Sequence, residues 1–449
     1  MSICPICKKR VPVERYQEGD KIYDRKICPE HGIFKTLVWE GEPSYKDWNL
    51  TPDNVKPQGV KTETVEGCPY DCGLCENHKQ EACCVLIELT NRCNQHCSFC
   101  FANAQSSHQN ISDRTYCESQ ELTIEEIKEI YEFLLEQSPD RPFNIQLSGG
   151  EPTIRKDLPE IIAMGREMGF PYIQLNTNGR KLADSREYVR TLKQAGLSSV
   201  FLQFDGLKDD IYLKTRGERL LDKKIKAIEH CICEQLGTVL VVTVVPKVNE
   251  DHIGEIIEFA IKKTPYLRGI HFQPVSYFGR FPGMPEMPGD DDRITIPKLI
   301  RNIELQTGGK VKKEAFVPLM TGHPLCSFHG NFIVGPDKSL TSLSDQSKRS
   351  CLCSKDTSII RARNYIARKW SWQAYKKPLA ESTEYNFSEW DDYIQNLKSN
   401  SFSITAMAFQ DAWNLDLKRL ERCRVHVATR DKRLIPFCAY NIIHREKNQ

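Results

Sequence analysis

The chain has 449 residues, long enough for two or three domains, and balances 62 Lys and Arg against 60 Asp and Glu. A net charge of +2 excludes the sustained basic field of a dedicated nucleic-acid binder. The longest apolar run, near Val239–Val245, is far short of a bilayer span, and Cys4 and Cys7 stand where a secretion signal would be basic and then apolar, so a cytoplasmic protein without a transmembrane segment is expected.

Nineteen cysteines, an odd number crowded mainly into the first hundred residues, favour metal ligation over a disulfide framework. Residues 1–50 carry Cys4-Pro-Ile-Cys7 and Cys28-Pro-Glu-His31, two pairs with two intervening residues, which read as a small metal-binding domain of the zinc-knuckle or rubredoxin type. Zinc and iron suit these four ligands equally. Residues 51–83 form a linker that ends in a cysteine-rich stretch, with Cys68, Cys72 and Cys75 spaced by three and then two residues.

From residue 84 to about 280, short β-rich runs alternate with amphipathic patterns. Strands are expected near 84–90, 143–147, 171–176, 199–204, 238–245 and 269–275, with helices near 123–137, 157–168, 184–195, 220–236 and 251–263. Six such alternations predict parallel strands with right-handed crossovers, closed into a partial barrel or laid out as a doubly wound sheet, with chemistry at the strands' carboxyl ends. Beyond about 281 this grammar breaks down. The acidic run Asp290–Asp292 reads as a solvated loop, a helix is expected near 298–306, and a terminal unit spans about 404–445.

A second triplet, Cys93, Cys97 and Cys100, repeats the spacing of the first directly after the first strand of this region. Three thiolates on one loop suit a cubic iron-sulfur cluster, which needs four ligands. Cys83 is near enough in sequence to close the first cluster, whereas nothing follows Cys100 until Cys117, so the second keeps an open iron. A zinc knuckle would pair its ligands.

Cys93-Asn-Gln-His-Cys97-Ser-Phe99-Cys100, with Gly149-Gly150-Glu151-Pro152 ending the second strand, resembles the radical S-adenosylmethionine superfamily. The resemblance implies a partial (β/α)6 barrel over residues 84–280. It also implies a [4Fe-4S] cluster on Cys93, Cys97 and Cys100, to which S-adenosylmethionine binds and is reductively cleaved to a 5′-deoxyadenosyl radical. Phe99, Gly149, Gly150, Glu151, Asn176, Asn178, Gln203, Asp205, Pro246, Val248 and Gln273 would then line the cofactor pocket. Phe201, Gln203 and Asp205 share one strand face opposite Leu202 and Phe204.

The surrounding segments Cys68-Pro-Tyr-Asp-Cys72-Gly-Leu-Cys75, Phe101–Ala104, His271–Arg280 and Ile435–Asn441 resemble the subfamily that holds archaeal tetraether lipid synthases and proteins described as dihydropterin methylases. This implies a mononuclear metal on Cys4, Cys7, Cys28 and His31 and a first auxiliary cluster on Cys68, Cys72, Cys75 and Cys83. A second auxiliary cluster would lie in the 281–449 extension on Cys326, Cys423 and Cys438, with Cys351, Cys353, His426 or a substrate atom completing it. The expected activity is hydrogen abstraction from a substrate carbon followed by carbon-carbon bond formation of the lipid-coupling kind. Methyl transfer to a pterin or other small heterocycle is the alternative, and peptide modification a further one. A non-enzymatic electron carrier would have no use for the Gly149–Glu151 turn. The implied partners are a small-molecule or lipid substrate and a flavodoxin- or ferredoxin-type reductant, and peripheral contact with a membrane is compatible with the lipid reading.

Overall fold

The structure is a computed structural model and describes residues 1–49, 57, 62–106, 121–140, 142–282, 287–318, 323–344, 357–372 and 399–445. Cys117, Cys351 and Cys353 lie outside the described residues. At the amino end, β1 (Val13–Glu18), β2 (Lys21–Cys28) and β3 (Gly32–Glu40) make an antiparallel sheet, and Ser2–Ile3 pairs with Arg10–Val11 beside it. The sequence marks this region through its ligands alone, because the strands are half exposed.

The alternating region builds β4 (Cys84–Thr90), α1 (Ile124–Gln137), β5 (Asn144–Gly149), α2 (Leu158–Glu167), β6 (Ile173–Thr177), α3 (Arg180–Asp184), α4 (Arg186–Gln194), β7 (Ser199–Gln203), α5 (Asp209–Arg216), α6 (Leu221–Cys233), β8 (Thr238–Val244), α7 (Ile253–Lys262) and β9 (Leu267–Pro274). The helix expected near 184–195 is α4, and the short helix α3 before it was not anticipated. Ser185 takes extended backbone between them, and its hydroxyl caps α4 by accepting from the Tyr188 N–H. Helix α5 was not anticipated, since its apolar face is reduced to Ile211 and Tyr212.

Strands β4 to β9 pair in parallel, each with its successor in the chain. A doubly wound sheet would reverse its order at a switch point, so this succession is that of a partial (β/α)6 barrel. Strand parity sorts the side chains. Ile145, Leu147, Leu175, Leu202, Val242, Ile270 and Phe272 join the helices' apolar faces in the main core. Their neighbours Gln146, Ser148, Asn176, Gln203, Thr243, His271 and Gln273 face the lumen.

The carboxyl-terminal third is more regular than its sequence suggests. After α8 (Ile296–Gln306) come β10 (Ser327–Val334), α9 (Thr357–Trp370), β11 (Ser401–Met407) and β12 (Val425–Ala428). Strand β11 runs parallel to β9, β10 antiparallel to β11, and β12 parallel to β4, so one continuous sheet extends past both edges of the barrel. The amino-terminal sheet is stapled to the same third. The Lys26 ammonium donates to the Ala412 carbonyl (2.9 Å), Thr36 to the Trp413 carbonyl (3.0 Å), and Arg15 bridges Asp24 and Asp416 (2.7 and 3.1 Å).

Candidate active site and metal centres

The loop after β4 carries Cys93, Cys97 and Cys100, and three other segments clamp it. From the turn after β5, the Gly150 N–H donates to the Thr90 carbonyl (2.7 Å) and the Glu151 N–H to the Arg92 carbonyl (2.9 Å). This approach requires glycine. A Cβ on Gly149, whose φ is +120°, would stand 2.3 Å from the Thr90 oxygen, and one on Gly150 would stand 2.1 Å from that of Arg92. From the end of the 271–280 stretch, Arg280 exchanges backbone hydrogen bonds with Cys100 (2.8 and 2.9 Å) and donates its Nε to the Cys97 carbonyl (2.8 Å). From the end of α5, Arg216 donates to the Phe99 carbonyl (2.9 Å).

The residues fit an iron-sulfur cluster with an open coordination position. Burial, reinforced by Glu151 and by the neighbouring Cys97 and Cys100, pushes the Cys93 thiol up to about 12, and burial also raises Cys97. Three soft donors that resist ionising unaided are held together where a cationic iron core would stabilise their thiolates. Around them, both amide atoms of Gln95 and Nη2 of Arg280 are buried without a hydrogen-bond partner.

Several expected pocket residues take different roles. Glu151 does not hold a free carboxylate out to a ligand. Its oxygens accept from the Thr153 N–H and hydroxyl (3.1 and 2.5 Å), the Thr177 hydroxyl (2.7 Å) and the Asn178 N–H (2.7 Å), bracing the turn after β5 against the loop after β6. Asp205 is fully buried behind the lumen. It accepts from Arg216 Nε (2.6 Å), Arg216 Nη2 (3.0 Å) and Thr215 (3.0 Å), and although burial opposes its ionisation, Arg216 holds its pKa below the ordinary value. Pro246 and Val248 are not among the residues lining the cavity, whereas Phe99, Gly149, Gly150, Glu151, Asn176, Asn178, Gln203 and Gln273 are.

Arg216, Arg280 and Lys224 were missed. Lys224 stands on the buried face of α6 with Ala227, Ile228 and Cys231. Its ammonium donates to the Asn178 carbonyl (2.6 Å) and to Gln203 Oε1 (2.5 Å), and burial lowers its pKa to about 7. A lysine at an apolar helix position was the available signal.

The cavity holds about 280 Å³ and runs from the cysteine loop down the lumen. Its deep end is lined by Phe201, His271, Trp370, Ile366 and Thr405. Helix α9 reaches into this end, anchored where Arg363 donates to the Ala82 carbonyl (2.6 Å) and Ser138 (3.1 Å).

Among the described residues, Cys4, Cys7, Cys28 and His31 form a set whose ligand atoms all lie within 4.8 Å of one another. Sγ of Cys7 and Cys28 are 3.9 Å apart and His31 Nδ1 is 3.5 Å from Cys28 Sγ, whereas tetrahedral zinc–sulfur bonds put two sulfurs about 3.8 Å apart. Burial opposes ionisation of Cys28, but the His31 ring and backbone N–H groups outweigh it and bring the thiol to about 6. These four residues fit a tetrahedral metal ion.

Cys68, Cys72 and Cys75 line a small separate pocket with His78. Cys83 is not brought to them. It packs with Tyr172, Phe201, Val239, Ile366 and Trp370 on the barrel side, because β4 begins directly after it and carries it into the sheet. The thiol that reaches Cys72 from outside the triplet is Cys423, one of several neighbouring thiols that raise the Cys72 pKa. Cys326, Cys423 and Cys438 neighbour one another: burial and then Cys326 raise the Cys423 thiol, and burial, Cys423 and Cys326 raise that of Cys438. Arg419 donates to Cys326 Sγ (2.9 Å) and the Gln410 N–H to Cys438 Sγ (3.2 Å). His426 is buried with both ring nitrogens unpartnered, its ring 5.0 Å from that of His78, whose Nε2 donates to the Cys423 carbonyl (2.9 Å).

A parallel partial barrel with three thiols at the strands' carboxyl ends and a glycine turn clipped onto them defines the class: the chain belongs to the radical SAM superfamily, whose family model matches residues 87–260. Residues 1–40 match the HMPTM N-terminal zinc ribbon domain. More particularly, the chain is 37% identical over its whole length, and over 94% of the relative's, to a Methanocaldococcus jannaschii protein named 7,8-dihydro-6-hydroxymethylpterin dimethyltransferase. It is 26% identical to a GTP 3′,8-cyclase of Nautilia profundicola over 49% of this chain and 64% of that one. Among solved structures it overlaps methylornithine synthase at 17% identity, covering 51% of this chain and 64% of that one with a TM-score of 0.36, too loosely to bear on function. No described helix is long and apolar enough to cross a membrane.

Proposed function

We propose that this radical SAM enzyme transfers methyl groups to a pterin-like heterocycle. The observation that carries this reading is the set of polar groups that remain in the lumen beyond the cofactor's amides, Gln146 on β5 and His271 and Gln273 on β9. A heterocycle can satisfy such groups, whereas an alkyl chain would leave their buried amides unpaired at roughly 1–3 kcal/mol each. The resemblance to the pterin-methylating relative along the full chain supports the same choice, and nothing comparable supports the coupling of lipid tails.

In this reading, Cys93, Cys97 and Cys100 hold the catalytic [4Fe-4S] cluster. When bound, the cluster and S-adenosylmethionine supply the one-electron chemistry that opens an unactivated carbon-hydrogen bond. Gly149 and Gly150 let the backbone of the turn approach the amino-acid end of the cofactor. Asn176, Asn178 and Gln203 present amides to its nucleoside end, with Lys224 fixing two of them in place. Arg216, oriented by Asp205, offers a fixed positive charge beside Cys97. The walls of the lumen exclude water from the radical. Cys68, Cys72, Cys75, Cys326, Cys423 and Cys438 hold auxiliary clusters, the amino-terminal site holds zinc, and a flavodoxin or ferredoxin of the cytoplasm supplies electrons.

The test is to reconstitute the protein anaerobically and supply S-adenosylmethionine deuterated on its methyl group, with 6-hydroxymethyl-7,8-dihydropterin and a saturated lipid in separate reactions. A pterin product heavier by the labelled methyl groups is expected. A coupled lipid, with the pterin recovered unchanged, would overturn the reading.

A further inference from the structure

The deep end of the lumen contains a histidine whose protonation can be worked out from its neighbours. His271 Nδ1 lies 2.8 Å from Thr405 Oγ1, and Thr405 in turn donates its hydroxyl proton to the Ile270 carbonyl at 3.3 Å. A hydroxyl has one proton, so Thr405 must accept from His271, and Nδ1 carries the hydrogen. Nε2 is then a bare acceptor on a side chain that lines the cavity. Burial lowers the ring's pKa to about 4, which keeps it neutral in ordinary buffers. Two aromatic rings flank it edge-on: Phe201 at 5.5 Å and Trp370 at 6.4 Å, with 4.8 Å between the two. Gln273, two residues further along the same strand face, adds an amide toward the cysteine loop.

Resting on the methyl-transfer reading above, we propose that His271 is the residue by which the lumen selects its substrate, with Nε2 accepting a hydrogen bond from a ring N–H of a planar heterocycle seated beside Phe201 and Trp370. Thr405 acts through His271 as the positioning residue that fixes the tautomer. The substrate class is therefore a flat, nitrogen-rich ring that presents a donor to the floor of the barrel. A ligand without a donor there leaves a buried acceptor unpaired.

The experiment measures anaerobic equilibrium binding of 6-hydroxymethyl-7,8-dihydropterin, and of its N3-methyl and N8-methyl forms, which block its two ring N–H groups in turn, to the iron-loaded protein. The wild type is expected to prefer the unmethylated ligand over one of the two by at least ~10-fold. His271→Phe and Thr405→Val should lose that preference, and Thr405→Ser, which keeps the hydroxyl, should retain it. If His271→Phe discriminates as well as the wild type, the proposal fails while the methyl-transfer reading stands. Should His271→Phe not fold, judged by its iron content and thermal midpoint, Thr405→Val carries the same comparison. A wild type that binds neither pterin defeats the reading itself, and the proposal with it.

Discussion

At the scale of single residues, the charged groups of the site are fixed in place by the fold itself. Arg216 pairs with fully buried Asp205, and its remaining donors reach Phe99 and Thr243 (2.9 and 3.0 Å). Cys97 stands inside this arrangement. Cys97→Ala should abolish deoxyadenosine formation while iron persists at the other sites; deoxyadenosine at the wild-type rate would remove the triplet from catalysis. Lys224 titrates at about 7 in the fold against about 10.5 unfolded, so between those values the unfolded chain binds more protons than the native one. Its contribution to stability is complete above about pH 10.5 and is lost as pH falls toward 7. Wild-type stability should therefore gain on that of Lys224→Met by a few kcal/mol between pH 7 and 10, and parallel denaturation profiles would refute the shift. The cysteine triplets, the glycine turn and the face shared by Phe201 and Gln203 were legible in the sequence, because spacing and strand parity are written locally. The partners of Glu151 were not, since Thr177 and Asn178 reach it only across the sheet.

At the scale of elements, the turn after β5 and the loop after β4 are joined backbone to backbone, so neither can move without the other. Gly150→Ala puts a methyl group against the Arg92 carbonyl and should cost about 1–3 kcal/mol, with catalytic iron lost before auxiliary iron. Full iron loading in this variant would show that the two loops can separate. The six strands of the barrel and its helices α1, α2, α4, α6 and α7 were predictable to within a few residues because a core-facing period repeats in each. Strands β10 and β11 were not anticipated, although Ser401, Ser403 and Thr405 alternate with Phe402, Ile404 and Ala406 along β11, whose place in the sheet is set by pairing with β9. The helix expected near 184–195 is present as α4, its start fixed by the Ser185 cap.

At the scale of the molecule, the amino-terminal metal site and the last third of the chain form one mechanical unit. The Lys26 and Thr36 contacts run to the carbonyls of residues 412 and 413, on the segment that leads toward Cys423. Loss of the metal through Cys28→Ser should therefore lower the thermal midpoint by several degrees and speed proteolysis between residues 409 and 416. An unchanged digestion pattern would mean that the two ends hold independently.

The sheet's extension past both edges of the barrel bears on the order of synthesis. When β9 has left the ribosome, the strands of the barrel are complete, yet their two outer edges, β4 and β9, still lack the neighbours supplied by β12 and β11. The chain must lengthen from residue 274 to residue 428 before both are covered, a wait of roughly 8–30 s at ordinary translation rates. During that interval the nascent protein carries two bare strand edges able to pair with other chains. Truncations that stop short of residue 401 should accumulate as insoluble protein, and chaperone occupancy on translating ribosomes should peak between these two points.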